Sequence, residues 1–228
     1  MMALTIKYCG LKTPADLDLA VALGVDMVGF MQFPKSPRAL PLADIGALVE
    51  ATRDRAESCV LLVNPDDALV AEVAALRPDW LQLHGDETPA RVTEIRDQSG
   101  LKVMKAIKVG EAADLEPMPD YATVADRLLL DAKPPKGADR PGGHGNVFDW
   151  GLLENVDPDL DFMLAGGLSL TNVGEAIEMV RPFGLDLSSA LEREKGIKDH
   201  ELMRAFMAAV RSAEAALEPT DARKAEAL

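Results

Sequence analysis

Residues 4–11 read LTIKYCGL, an apolar run that stops at Cys9 and turns at Gly10. Residues 59–65 read CVLLVNP, where the cysteine instead opens the run. Six more short runs of this kind follow the same rhythm, so that strands are expected near 4–9, 26–30, 59–63, 80–83, 102–107, 127–131, 161–164 and 185–187. Between them, apolar residues recur at helical spacing, as in 15–23, 45–53, 68–76, 173–180 and 202–210. Thr13-Pro14 and Ser169 are candidate helix caps, because a hydroxyl there accepts the orphan N–H groups of a first turn. Strand–helix alternation implies right-handed crossovers and a parallel sheet, and eight units in 228 residues predict a closed (β/α)8 barrel, a TIM barrel, over 1–212. An open doubly wound sheet is the alternative. Residues 213–228, rich in Ala and charge, read as a helix end or tail.

In a parallel barrel the C-terminal strand ends carry the chemistry and the N-terminal ends support the scaffold. Cys9 then stands at a reactive rim and Cys59 at a supporting one. Asp131 ends the run LLLD in the same way as Cys9 ends its own. A carboxyl leaving an apolar run is partly desolvated and suited to giving a proton near neutral pH, or else it simply bonds the loop after the strand. A thiol must be partly ionised to act as a base, and Lys7, two residues before Cys9 and on the same face, would favour the thiolate. Cys9 is otherwise a small buried hydrophobe.

Two strand-to-helix loops are long, MQFPKSPRALP at 31–41 and AKPPKGADRPGGHGN at 132–146, and long loops on one face favour function. The first carries Arg38, with Lys35 nearby; the guanidinium can grip a carboxylate with two parallel bonds. The second carries Gly142, Gly143 and Gly145, which suit a mobile lid. LAGGLSLTNV at 164–173 and DLSSALE at 186–192 offer Gly166, Gly167, Ser188 and Ser189 in the two loops where barrels often hold phosphate on backbone N–H groups. His84 ends the fourth run on the same face, and His144 and His200 make no metal-ligand spacing with it. Trp80 and Trp150 read as packing.

A formal charge of −14 leaves no basic field to attract nucleic acid or an anionic membrane, while a small phosphorylated ligand remains open. Two cysteines at unrelated spacing support neither a disulfide framework nor a zinc site. With no signal-like start and no membrane-length apolar run, the expectation is a soluble cytoplasmic protein.

Taken together, KYCGL, FPKSPR, LVNP, LQLHGDE, LLLDAK, PGGHGNVFDW, LAGGL and DLSSALE, in order over roughly residues 6–210, resemble the motif series of the phosphoribosylanthranilate isomerases. The resemblance implies a cofactor-free, metal-free Amadori rearrangement of N-(5′-phosphoribosyl)anthranilate in tryptophan biosynthesis. It gives Asp131 the role of general acid at the ring oxygen and Cys9 that of general base at C2′. It places Arg38 on the anthranilate carboxylate, and puts Gly166, Gly167, Ser188 and Ser189 in the phosphate loops, with His84, Gly143 and Gly145 also expected at the substrate. Three positions depart from the family pattern. His144 stands where Thr or Ser is usual, Asn146 where Lys is common, and Ala190 where SSGVE has a glycine. Alanine at position 190 would be strained at positive φ. Other phosphosugar barrels, or a non-catalytic phosphoribosyl-binding protein, are the rival readings. Both a monomer and a homodimer fit the sequence.

Overall fold

The computed structural model describes residues 3–133, 148–157 and 160–217. Eight parallel strands form a closed barrel: β1 (Thr5–Cys9), β2 (Met27–Met31), β3 (Glu57–Leu62), β4 (Trp80–Leu83), β5 (Lys102–Val109), β6 (Arg127–Ala132), β7 (Phe162–Leu164) and β8 (Gly184–Leu187). The ring closes where Ile6 pairs with Leu185 and Tyr8 with Leu187. The (β/α)8 expectation therefore holds, and the open sheet is excluded.

Helices α1 (Pro14–Ala22), α2 (Leu42–Thr52), α3 (Asp67–Ala75), α4 (Pro89–Ser99), α5 (Met118–Ala122), α6 (Val173–Val180) and α7 (His200–Leu217) cover the barrel. The sixth crossover has a 3-10 turn, Trp150–Asn155, in its described part. Thr13 caps α1 as expected, its hydroxyl accepting the Asp16 N–H. Ser169 does not cap α6. Asn172 occupies the cap position, and its side-chain oxygen turns back to accept the Ser169 N–H. An antiparallel hairpin, β9 (Glu192–Glu194) with β10 (Ile197–Lys198), stands between β8 and α7.

Two apolar layers hold this together. The outer layer packs the outward residues of the strands, such as Ile6, Val28, Val60 and Leu185, against the helices. The inner one fills the barrel with Met27, Cys59, Trp80, Met104, Ala106, Leu129, Met163 and Ala165. β3 begins at Glu57, ahead of its apolar run, so Cys59 lies within the strand and not at its mouth. Its thiol is part of the inner packing, which fits a scaffold role.

The N-terminal rim is laced by a repeated device. Asp26, Asp79 and Asp126 each precede an even-numbered strand, and each accepts a backbone N–H from the strand before it. The partners are Ile6, Ser58 and Val103, all at 2.7 Å. Trp80 closes the barrel floor, with the Arg127 guanidinium 5.5 Å from its ring and 3.7 Å from that of Phe183. No helix among the described residues is long and apolar enough to cross a membrane.

Candidate active site

Side chains alternate along a strand, so Lys7 and Cys9 on β1 share the inner face. The same alternation aims Gln82 and His84 inward at the end of β4, Asp131 inward on β6, and Asp186 inward on β8. The result is a continuous polar chain above the apolar floor. The Lys7 ammonium donates to Asp186 Oδ2 at 3.0 Å and to Gln82 Oε1. Gln82 Nε2 lies 3.2 Å from His84 Nδ1, and His84 Nε2 lies 3.1 Å from Asp131 Oδ2. All of these groups are buried. The structure thus joins Asp131 directly to His84 and, through Gln82, to the lysine beside Cys9.

The electrostatics at Cys9 are a contest. Burial pushes the thiol above its ordinary value, and Lys7 and Lys198 pull against that shift without cancelling it. Burial is the largest single influence on the Lys7 ammonium and works against it, but Asp186, Cys9 and Cys59 together outweigh it, and Lys7 stays firmly charged. Lys7 therefore acts as expected, in favour of a thiolate and against the pull of burial. Gly29 lies alongside, where a Cβ would stand 2.7 Å from the Cys9 sulfur; only glycine leaves the thiol its place.

Arg38 is buried and its stem crosses Gly10, the residue after Cys9. Its Nε and Nη2 donate to the two oxygens of Glu192 at 2.6 and 2.8 Å. Lys198 donates to the same carboxylate at 3.0 Å and to the Ser188 carbonyl at 2.9 Å. Burial would raise the Glu192 carboxyl, but Arg38 and Lys198 outweigh it and hold it below its ordinary range. Burial lowers Lys198, with Glu192 opposing. Arg38 thus uses one edge of its fork on the protein and keeps Nη1 for another partner. Lys35, by contrast, is exposed.

Gly166 and Gly167 both adopt positive φ, +82° and +65°. A Cβ on Gly166 would meet Asp131 Oδ1 at 2.7 Å and the Ala132 nitrogen at 2.3 Å, so the first loop glycine packs against Asp131. No hydrogen bond to another described residue engages the N–H groups of Gly166, Gly167 or Ser188. Ser189 and Ala190 sit in a short 3-10 turn, Ser189–Leu191. Ala190 is not among the positive-φ residues, so the alanine in place of a glycine carries no strain there. Gly142, Gly143, His144, Gly145 and Asn146 lie outside the described residues.

Two of the quoted motifs turn out to build a clamp behind His84. Glu87 accepts the Gly85 and Asn64 N–H groups and the Lys105 ammonium, the last at 2.6 Å. The Asn64 side chain in turn accepts the Asp86 N–H. LVNP and HGDE are thereby tied to each other and to β5. A sequence reading misses Gln82, Asp186, Glu192 and Lys198. Gln82 and Asp186 stand two residues before His84 and Ser188, a period-2 signal of a shared face; Lys198 reaches the site only through the hairpin.

Comparison with known proteins fits this geometry. A family model described as N-(5′-phosphoribosyl)anthranilate (PRA) isomerase matches residues 6–209. The N-(5′-phosphoribosyl)anthranilate isomerase of Rhodopseudomonas palustris strain BisB18 is 54% identical over 214 residues, covering 93% of this chain and 98% of the relative. That of Azorhizobium caulinodans is 51% identical over 227 residues, covering 99% and 100%. The crystal structure of phosphoribosyl anthranilate isomerase from Thermotoga maritima superposes with a TM-score of 0.82 at 32% identity, covering 92% of this chain and all of that one. Another isomerase of this name was solved in complex with reduced 1-(o-carboxyphenylamino)-1-deoxyribulose 5-phosphate; it superposes at a TM-score of 0.80 with 29% identity over 92% of this chain. On motif order, barrel closure and these relatives, the chain belongs to the phosphoribosylanthranilate isomerase family.

Proposed function

We propose that Asp131 and Cys9 are the acid and the base of the reaction for which this family is named, the aldose–ketose isomerisation of N-(5′-phosphoribosyl)anthranilate in tryptophan biosynthesis. Asp131 gives its proton to the furanose ring oxygen as the bond from that oxygen to C1′ breaks, and the anthranilate nitrogen supplies the electrons of a C1′=N iminium. Cys9, as thiolate, removes the proton from C2′; the electrons left behind form the C1′=C2′ bond and neutralise the iminium. The enolamine then tautomerises to the aminoketose, gaining a proton at C1′ and losing one from the C2′ hydroxyl. One turnover leaves Asp131 one proton short and Cys9 one proton ahead, and exchange with solvent resets both. Two separate groups are needed because the ring oxygen and C2′–H lie at different atoms and need opposite proton transfers.

The observation that carries this reading is the run of inward side chains on which both residues sit. Asp131 bonds to His84, His84 faces Gln82, and Gln82 accepts from Lys7, the lysine two residues before Cys9. Arg38 holds the anthranilate carboxylate through the donors Glu192 leaves free, and the N–H groups of Gly166, Gly167, Ser188 and Ser189 hold the phosphate. Anchoring both substrate ends places the pentose between acid and base. The relative solved with a reduced deoxyribulose 5-phosphate ligand supports a small phosphoribosyl substrate here. Catalysis stays within one barrel, residues 1–212, which works as a monomer or homodimer in the cytoplasm, with no nucleic-acid partner.

Loss of phosphoribosylanthranilate fluorescence measures turnover. Cys9→Ser and Asp131→Asn are each expected to lower kcat/KM by about 10²–10⁴. Two folded variants that both keep the wild-type rate would refute the assignment.

A further inference from the structure

The polar chain inside the barrel has a direction, and donor and acceptor chemistry fixes it. The Lys7 ammonium can only donate, so the Gln82 atom facing it is the carbonyl oxygen. The amide nitrogen therefore faces His84, 3.2 Å from Nδ1, and an amide nitrogen also only donates. His84 Nδ1 must then accept, and a neutral imidazole with an accepting Nδ1 carries its hydrogen on Nε2. That Nε2 stands 3.1 Å from Asp131 Oδ2. Every bond from Lys7 to Asp131 points the same way.

We propose that Gln82 is a positioning residue: it locks His84 in the Nε2–H tautomer, so that His84 donates to Asp131 Oδ2 and leaves Oδ1 as the oxygen that delivers the proton. The inference rests on Asp131 being the acid. Gly166 supports it, because it packs against Oδ1, and a Cβ there would stand 2.7 Å from that oxygen and push it from its place. The Lys7–Asp186 pair anchors the far end, and Gln82 has no freedom to turn over without setting its NH₂ against the ammonium. An amide does not pass protons along such a chain, so Gln82 couples the two halves of the site in orientation alone. Proton return from Cys9 to Asp131 goes by solvent.

The test is the nitrogen spectrum of His84 in the intact enzyme. The chain has three histidines, so 15N-histidine labelling with His144→Gln and His200→Gln comparisons assigns the His84 ring. The wild type is expected to show one tautomer, with Nδ1 bare and Nε2 protonated. Gln82→Met keeps the volume and removes both hydrogen bonds; it should populate both tautomers and lower kcat about tenfold with KM within about twofold. Gln82→Glu, which turns the donor into an acceptor, should place the hydrogen on Nδ1 and lower kcat further. A wild-type His84 protonated on Nδ1, or a folded Gln82→Met enzyme with full kcat, would overturn the proposal while leaving Asp131 as the acid. Full activity in Asp131→Asn would instead remove the acid assignment, with the His84 spectrum unchanged.

Discussion

Aspartates stand on both rims of the barrel and are used in opposite ways. On the N-terminal rim, Asp26, Asp79 and Asp126 are exposed, yet each commits an oxygen to the backbone of the neighbouring strand at 2.7 Å. On the C-terminal side, Asp131 and Asp186 are buried and each touches one side-chain partner. Asp186 Oδ1 is buried without a hydrogen bond among the described residues. A buried acceptor left unmade costs stability, which water-facing clamps avoid. The lower rim thus closes strand to strand, while the upper one leaves the Asp186 Oδ1 oxygen uncommitted among the described residues. Residue type is the same on both; what differs is whether the fold has already used the lone pairs.

The sharpest way to break this contrast is a crossed pair of substitutions. Asp131→Asn should cost about 10²–10⁴ in kcat/KM and leave the melting temperature nearly unchanged. Asp126→Ala should leave kcat alone and remove about 1 kcal/mol of stability, or roughly 2–4 °C in a chain of this size. Thermal melts and steady-state rates on the same two preparations check it, and a stability loss in the first with an activity loss in the second would erase the distinction.

Arg38 sharpens it further, because it serves both purposes. Arg38→Ala removes one member of a buried, bidentate pair and should lower stability by about 3 kcal/mol, since Glu192 keeps only Lys198 and the Gly196 N–H. The same change should raise KM for a carboxylate-bearing substrate more than for a neutral analogue. Equal effects on the two ligands would leave Arg38 as scaffold only.

The smallest effect concerns Cys59, deep in the inner packing. Burial pushes its thiol from an ordinary 9.0 up to about 12. Between those values the unfolded chain has released this proton and the folded one has kept it. Fewer protons bound on unfolding means that stability falls as pH rises through that window. Chemical denaturation from pH 8.5 upward should therefore show a shallower decline for Cys59→Ala than for wild type. Parallel slopes would mean that the thiol is not held neutral by the fold.

Much of this molecule is legible in its sequence because a parallel barrel buries both faces of every strand, which makes each strand a plain apolar run. Cys9, His84, Asp131 and the Gly166–Gly167 pair stand out because they end such runs. The hairpin of β9 and β10 is hidden by the same logic: EREKGIK has no apolar face, and Gly196 alone marks its turn, yet it delivers Lys198 and Glu192 to the site. Gln82 is hidden for another reason, since a single amide in an apolar strand gains meaning only once Lys7 and His84 are seen on either side of it. Ser169 misleads because α6 begins later than its pattern implies: Asn172 stands at the cap position, and its side chain bonds back to the Ser169 N–H and not to the helix.

The central claim is that a sulfur and a carboxyl oxygen from opposite sides of the ring address one sugar. A crystal structure with the reduced product analogue tests it most directly. The account predicts Cys9 Sγ near C2′ and Asp131 Oδ1 near the oxygen derived from the furanose ring, each at roughly 3–3.5 Å and on different sides of the carbon chain. A ligand held with its phosphate on the Gly166 and Ser188 loops but with either atom facing away from the sugar would contradict it.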